Sequence, residues 1–335
     1  MTTIKDVAKA ANVSITTVSR VINHKSEGVS DETRDRIIKV MKDLKYQPNR
    51  IARGLVTKKT NTLGLILPDI ANPFFPEIAR GVEDTANIYG YNVILCNTDD
   101  RADKEELYIN VLKEKCVDGI IFTSSAGPAA GHIQKLADFD MPFVLLDRYI
   151  DTGKLPGVYS DGFGGMYQMT DYLFKMGHRD IAYIGGPEGR SAKKRYDGFE
   201  QAARAYGLIL KKKLIEEGNY KISGGREAMS RLLKRGGGFT AVLCANDLTA
   251  VGAMETLKKK GYRIPEDISV AGFDDIQLAG YVEPKLTTVA QPCYEMGELS
   301  TRMLIKLIEG LALEKQEIIL KPELIIRNSV RRVAK

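Results

Sequence analysis

Arg20 is the only long cationic side chain on a helical face otherwise made of Ile15, Thr16 and Ser19. A guanidinium so placed can give two parallel hydrogen bonds to guanine O6 and N7, and the methyl groups of Thr16 and Ile15 suit thymine. A second set is scattered along the chain, each member just after an apolar run: Asp69–Phe75, Asp147–Arg148, Arg195, Asn246–Asp247, Asp274 and Gln291. Carboxylates only accept hydrogen bonds, guanidinium groups only donate, and amides do both. With the flat rings of Phe74 and Phe75, that mixture suits a sugar, whose C–H faces stack while its hydroxyls donate and accept. Taken singly these residues have duller explanations. Asn, Asp and Gly are ordinary loop residues, and Phe74 and Phe75 by themselves read as core. Enzyme chemistry has less support, since GxxxxGK[ST], GxSxG and HExxH are all absent. The GFGG after Ser160 reads better as a crossover than as a nucleotide fingerprint.

The elements that must hold Arg20 are legible at the N-terminus. Thr3 and Asp6 form a capping-box pattern that opens a helix at Ile4, with Ile4, Val7, Ala8 and Ala11 on one face. Asn12, which tolerates a left-handed backbone, marks a turn. Ser14 caps a second helix from about Ile15 to Ile22, whose Val18, Val21 and Ile22 point inward. Two short helices and a tight turn make a helix-turn-helix. Ser30 caps a third helix whose Ile37, Val40, Met41 and Leu44 are expected to close the small core. A short basic segment follows, opened by Pro48 and weakened by Gly54; it suits a helix that orders only on a partner.

Charge is divided unevenly. Residues 1–60 carry thirteen Lys and Arg against six Asp and Glu, whereas the remainder is nearly neutral. The positive excess therefore sits where phosphate would be met. The four cysteines, Cys96, Cys116, Cys244 and Cys293, are far apart and without a CxxC, which suits a reducing cytoplasm. His24, His132 and His178 have no ligand spacing, so no metal or cofactor is expected. Neither a signal-peptide pattern nor a membrane-length apolar run is present, so a cytoplasmic chain away from membranes is expected.

Beyond the basic link Thr57–Thr62 the rhythm changes. Apolar strands (LGLILPDI, YNVILCNTD, VDGIIFTSS, MPFVLLDR) alternate with helices over NPFFPEIARGVEDTANIYG, about Asp103 to Lys115, and near His132. The alternation restarts with DIAYIGGP, a helix around Tyr196–Tyr206, TAVLCANDLTAVGAMETLKKKG and ISVAGFDD. This predicts two doubly wound parallel-sheet lobes joined near Val158–Gly162, near Leu286–Gln291 and past Ile318. In such sheets ligands bind beyond the carboxyl ends of strands, where the polar clusters fall.

The stretch TIKDVAKAANVSITTVSRVIN…VSDETRDRI…LKYQPNRIARGL resembles the lac/gal repressor (LacI/GalR) family almost end to end. The remainder, through NPFF, LDR, RYDGF, ND, GFDD and AQP, resembles the periplasmic sugar-binding fold that forms that family's core, in its ribose-binding branch. The resemblance implies an all-α headpiece over 1–46, a hinge helix over 47–58, and an α/β core over 59–335. The core's first lobe would comprise about 59–158 and 289–318, its second about 161–287 and 320–335. DNA contacts would come from Ile15, Thr16, Thr17, Ser19, Arg20 and Asn23, and in the hinge from Asn49, Ala52 and Leu55, with Leu55 wedged into the minor groove. Sugar contacts would be Asn72, Phe74, Phe75, Asp147, Arg148, Arg195, Tyr220, Asn246, Asp274 and Gln291. Tyr220, placed by counting back from the following helix, stands where the branch has phenylalanine. Asn12 departs from the glycine of many members, and Gly54 is a second variable position. The function so implied is a homodimeric repressor of sugar-utilisation genes on a double-stranded operator, with ribose as effector. No heptad-repeat tail follows Lys321, which argues against a tail-zippered tetramer. Two alternatives stay open: a global carbon-catabolite regulator using a phosphorylated carrier protein as corepressor, and an exported sugar-binding protein. The latter would need a signal peptide and would have no use for a basic helix-turn-helix.

Overall fold

The computed structural model describes residues 2–23, 28–47, 59–124, 141–149, 155–236 and 238–333. Two compact units divide the chain at Thr60 and Asn61. The expected hinge contacts Asn49, Ala52 and Leu55, and the helix expected near His132, lie outside the described residues.

The first unit holds α1 (Ile4–Ala10), α2 (Ile15–Ile22) and α3 (Asp31–Asp43). Thr3 and Asp6 exchange both capping-box hydrogen bonds, fixing the start of α1. Asn12 takes φ 51°, so that Val13 N–H donates to the Ala8 carbonyl at 3.0 Å and closes the helix end. Ser14 and Ser30 cap α2 and α3 through their side chains. Val7, Ala8, Ala11, Val18, Val21 and Ile37 form the buried core. One expectation fails here. Leu44 does not close this core: it lies beyond the last turn of α3 and is exposed. Lys45 turns left-handed at φ 48°, Tyr46 N–H reaches back to Met41 O at 2.9 Å, and the Tyr46 ring packs on the core.

The second unit is a pair of α/β lobes. In the first, a six-stranded parallel sheet runs β11-β5-β4-β3-β1-β2, with β1 Thr62–Leu67, β2 Asn92–Asn97, β3 Gly119–Phe122, β4 Phe143–Leu146, β5 Gly157–Ser160 and β11 Glu317–Leu320. Helices α4 (Phe74–Ile88) and α5 (Ala102–Glu114) belong to it, as does α10 (Cys293–Ile308), which packs on α4. In the second lobe a four-stranded parallel sheet runs β7-β6-β8-β9, with β6 Ile181–Gly185, β7 Ile215–Glu217, β8 Ala241–Cys244 and β9 Ser269–Ala271. Its helices are α6 (Gly162–Lys175), α7 (Arg190–Ala205), α8 (Ile222–Lys234) and α9 (Asp247–Lys259). Strands such as Leu63–Leu67 and Ala241–Cys244 are continuously apolar because both faces of each sheet are covered.

The chain passes between lobes after β5, before α10 and after β11. Here the architecture adds something the alternation of strands and helices does not predict: an antiparallel ribbon of β10 (Thr288–Ala290) and β12 (Glu323–Ile325) at the last two passages. Asp247, fully buried, braces this region by accepting from Ile276 N–H at 2.9 Å and Thr288 Oγ1 at 2.5 Å. It is thus a structural carboxylate, and burial, with the charge of Asp274 adding to it, holds it well above the usual carboxylate range. Helices α8 and α9 cross backbone to backbone. A Cβ on Gly252 would fall 2.1 Å from Ile222 O, and one on Gly225 would fall 2.2 Å from Thr249 O.

Candidate functional site

Helix α2 presents Ile15, Thr16 and Arg20 to solvent, Ile15 being 44 % exposed. Arg20 is exposed on this helix, and no ion pair to it occurs among the described residues. The other expected contacts on this helix are already engaged locally. Thr17 Oγ1 lies 2.8 Å from Ser14 Oγ, and Asn23 Nδ2 donates to Ser19 O at 2.8 Å and Ser19 Oγ at 3.3 Å. These bonds stiffen the helix ends and leave Thr16 and Arg20 as its adaptable polar groups.

In the second unit, the carboxyl ends of β1, β4, β6, β8 and β9 converge on a cavity of about 40 Å³ between the lobes. Strand order reverses at β1/β3 in one sheet and at β6/β8 in the other, so crevices open there. Nine of the ten side chains expected to meet a sugar line this cavity, as does Ser191. From the first lobe, Asn72 accepts from Phe74 N–H at 3.2 Å and so sets the start of α4. Phe74 and Phe75 meet edge to face at 5.0 Å, both within the core yet with surface on the cavity. They are core and cavity wall at once. Asp147 takes φ 63°, which turns its side chain out of the end of β4. Arg148 is held by Asp100 Oδ1 at 2.6 Å and Ser124 O at 3.0 Å.

From the second lobe come Arg195, Tyr220, Asn246 and Asp274. Arg195 is nine-tenths buried, donates to Ala245 O at 2.6 Å, and lies 4.3 Å over the Phe273 ring. Its second nitrogen is 3.8 Å from Asp274 Oδ1. Tyr220, at φ 60°, accepts at its carbonyl from Asn246 Nδ2 at 3.0 Å and faces Arg195 with its ring at 5.8 Å. Asn246 also caps α9, its Oδ1 accepting from Thr249 N–H at 3.0 Å. With both ends of the amide engaged, Asn246 keeps only one donor and one lone pair for a ligand. Gln291 departs from the expected set. It does not line this cavity but a neighbouring compartment, and its Nε2 donates to Asp274 Oδ1 at 2.7 Å. It positions Asp274 from behind.

Burial raises the pKa of both cavity carboxyls. Asp147 is pushed up by desolvation against the pull of Arg195 and Arg148. Asp274 is pushed to about 7 by the same cause, against Arg195 and the Gln291 hydrogen bond. Ser191 escaped the sequence reading, although it lies four residues before Arg195 and hence on the same face of α7.

A helix-turn-helix unit and, later in the same chain, a two-lobed α/β unit with a polar, aromatic-walled cavity define a DNA-binding regulator with a small-molecule receptor. The comparisons agree. Residues 3–49 match "Bacterial regulatory proteins, lacI family" and residues 60–326 match "Periplasmic binding proteins and sugar binding domain of LacI family". The chain belongs to the LacI family and is a DNA-binding transcriptional repressor, not an enzyme. It is 41 % identical over 330 residues to the HTH-type transcriptional regulator RegA of Clostridium saccharobutylicum, covering 98 % of this chain and 99 % of that one. It is 40 % identical over 332 residues to the ribose operon repressor of Halalkalibacterium halodurans, covering 99 % and 98 %. The lac repressor dimer bound to operator and the anti-inducer ONPF superposes with a TM-score of 0.89 at 27 % identity, covering 98 % and 99 %. A LacI family regulator from Enterococcus faecium with bound ribose superposes with a TM-score of 0.74 at 32 % identity, covering 82 % and 100 %. No helix among the described residues is long and apolar enough to cross a membrane.

Proposed function

We propose that this chain is a homodimeric repressor of sugar-utilisation genes whose effector is a small sugar, ribose or a closely related pentose, held between the lobes. One observation carries the reading. Asp147 and Asp274, which accept, line one cavity together with Arg148 and Arg195, which donate, and with the rings of Phe74, Phe75 and Tyr220. A polyol satisfies such a mixture of donors and acceptors, whereas a purine would ask mainly for stacking with one or two edge contacts. The ribose named or bound in two of the similar proteins supports the choice of pentose. A dimer is supported by exposed apolar residues along the first lobe: Ile94 and Leu95 on β2, an edge strand, and Ile88 at the end of α4, 75 % exposed. Two headpieces would then sit on a pseudo-palindromic operator, through Arg20 and Thr16 in the major groove and Leu55 in the minor groove. Effector binding would change the angle between lobes and with it the spacing of the hinges.

The test is an operator-binding titration against pentoses, hexoses and purines. Ribose is expected to shift operator affinity at concentrations where hexoses and purines do not. A response to a phosphorylated carrier protein in place of any free sugar would replace this reading by that of a catabolite regulator. For direct readout, Arg20→Ala is expected to cost about 1–3 kcal/mol per half-site and relax the preference at one base. Selection from a randomised operator checks this, and an unchanged base preference would remove Arg20 from the readout.

A further inference from the structure

We infer that Lys221 and Asp69 form a latch that holds the empty cleft shut, so that the effector enters and leaves only when this ion pair parts. The inference rests on the sugar reading for what enters, and adds a gate to it.

The pair joins the two lobes. Lys221 Nζ, at the start of α8 in the second lobe, lies 3.5 Å from Asp69 Oδ2, which follows β1 in the first. Both ends stand on fixed turns. Asp69 Oδ1 accepts from Ala71 N–H at 3.0 Å, which leaves Oδ2 to face the other lobe. Asn97 Oδ1, at the end of β2, accepts from Ile70 N–H at 2.7 Å and ties this turn to the neighbouring strand. Opposite, Asn219 Oδ1 accepts from Lys221 N–H at 3.0 Å. Asp99 lies in the field of the same ammonium. Its carboxyl is held below the usual carboxylate range, first by hydrogen bonds from Lys104 and Asn97, with the charge of Lys221 adding to them.

Topology makes this pair a latch. In the first sheet β1 and β2 end one side, whereas β5 and β11, from which the chain crosses, end the other. In the second sheet β7, which precedes Lys221, is one edge. The opposite edge is β9, which the chain bridges to β10 through Ala271 and Thr287. The crossovers therefore hinge the lobes along one side. Lys221 and Asp69 meet on the other, where rotation about that hinge separates the lobes most. The hinge side is packed as well, since Ile276 and Leu278, which follow β9, join the first lobe's core. Behind the latch, the cavity of about 40 Å³ has room for a few waters, less than a sugar with its hydroxyls fills. Entry thus requires the lobes to part, and parting breaks the pair. With side chains 50 % and 20 % exposed, the pair is worth only a few-fold in an equilibrium and is screened by salt.

Two measurements on the full-length protein decide. In stopped-flow with ribose, followed by tyrosine fluorescence, Lys221→Gln is expected to raise the association and dissociation rates alike, by about two- to fivefold. The affinity then changes by less than about twofold. Lys221→Arg is expected to keep the parent's rates. Asp69→Asn, which keeps the Oδ1 acceptor of its turn, is expected to act like Lys221→Gln, and the double variant to add little to either. In the ligand-free protein, hydroxyl-radical labelling of the cleft-wall rings Phe74 and Phe75 is expected to rise with Lys221→Gln by a similar factor. If rates and labelling match the parent, the latch is overturned while the ribose reading stands. If only dissociation quickens, the pair forms over a bound sugar alone, and a latch on the empty cleft is overturned. If ribose gives no signal with the parent while labelling still responds to Lys221→Gln, the latch stands and the ribose reading falls.

Discussion

Gly252→Val is expected to destabilise the core unit by about 3 kcal/mol, at the upper end of what overpacking costs. The reason is where a side chain at residue 252 would go. Its Cβ would meet a main-chain carbonyl, Ile222 O, at 2.1 Å. A flexible neighbour could turn aside, but this oxygen belongs to the first turn of α8, and only separation of α8 from α9 relieves the contact. The alanine variant tests the balance of terms. Alanine gains about 1 kcal/mol of helix propensity over glycine in mid-helix, so Gly252→Ala is expected to lose less, about 1 kcal/mol net. Valine has a smaller propensity gain and a larger clash. Urea unfolding, followed by the tyrosine signal of the core, checks both. Midpoints equal to that of the parent protein would mean that the helices part at no cost.

The second large effect is on affinity and its pH dependence. Between about pH 8 and about pH 6 the sugar is expected to bind about tenfold more weakly, because one proton must be released from Asp274 for full binding. Buried beside Asp147 and facing Arg195, Asp274 gives up its proton only near pH 7. Above that value its carboxylate accepts from sugar hydroxyls and pairs with Arg195. Below it one oxygen becomes a donor and the guanidinium loses its counter-charge. In the ligand-free protein the sign is opposite. The native pKa lies above the ordinary 3.8, so the contribution of Asp274 to stability is fully present below that ordinary value and is lost as pH rises to about 7. Ligand and free protein thus prefer different charge states of one group. Asp274→Asn is expected to give weak binding that no longer varies with pH. Calorimetry at pH 6 in two buffers of different ionisation enthalpy would detect the released proton. A pH-independent affinity for the parent protein would show that Asp274 is ionised throughout.

Much of this was legible in the residues. Thr3 with Asp6, Ser14 and Ser30 announce three helix starts because a capping hydrogen bond is local, and all three side chains make it. Asn12 reads as a left-handed turn for the same reason. Leu44 was misread because periodicity alone continues α3 to Tyr46. What ends the helix is a left-handed lysine, Lys45, a residue type that gives no such signal. In the core, side chains after apolar strands point to a cleft because the doubly wound fold itself brings strand ends together. Asn246 lies where residue type pointed and Gln291 just behind the cavity, and their amides are largely spent on the start of α9 and on Asp274. Donor and acceptor capacity is visible in a sequence, whereas prior commitment to a neighbour is not. Ser191 was missed because a lone serine among glycines looks like any turn.

The three passages between lobes have a consequence for synthesis. The first lobe is begun at Thr62, yet its outer strand β11 and the helix α10, whose Met296, Met303, Leu304 and Ile305 complete the core around Phe74 and Val82, come only after residue 292. Every strand of the second lobe's sheet, β6 to β9, has left the ribosome before then. That sheet and helices α6 to α9 form a contiguous stretch, Gly162–Ala271, closed afterwards by the strap in which Ser329 O accepts from Val270 N–H at 2.9 Å. The lobe that starts first is therefore finished late, and during elongation its β3, β4 and β5 wait with an apolar face uncovered while the inserted lobe assembles. A nascent chain halted before α10 would expose that face, and would be a substrate for chaperones rather than a half-built receptor.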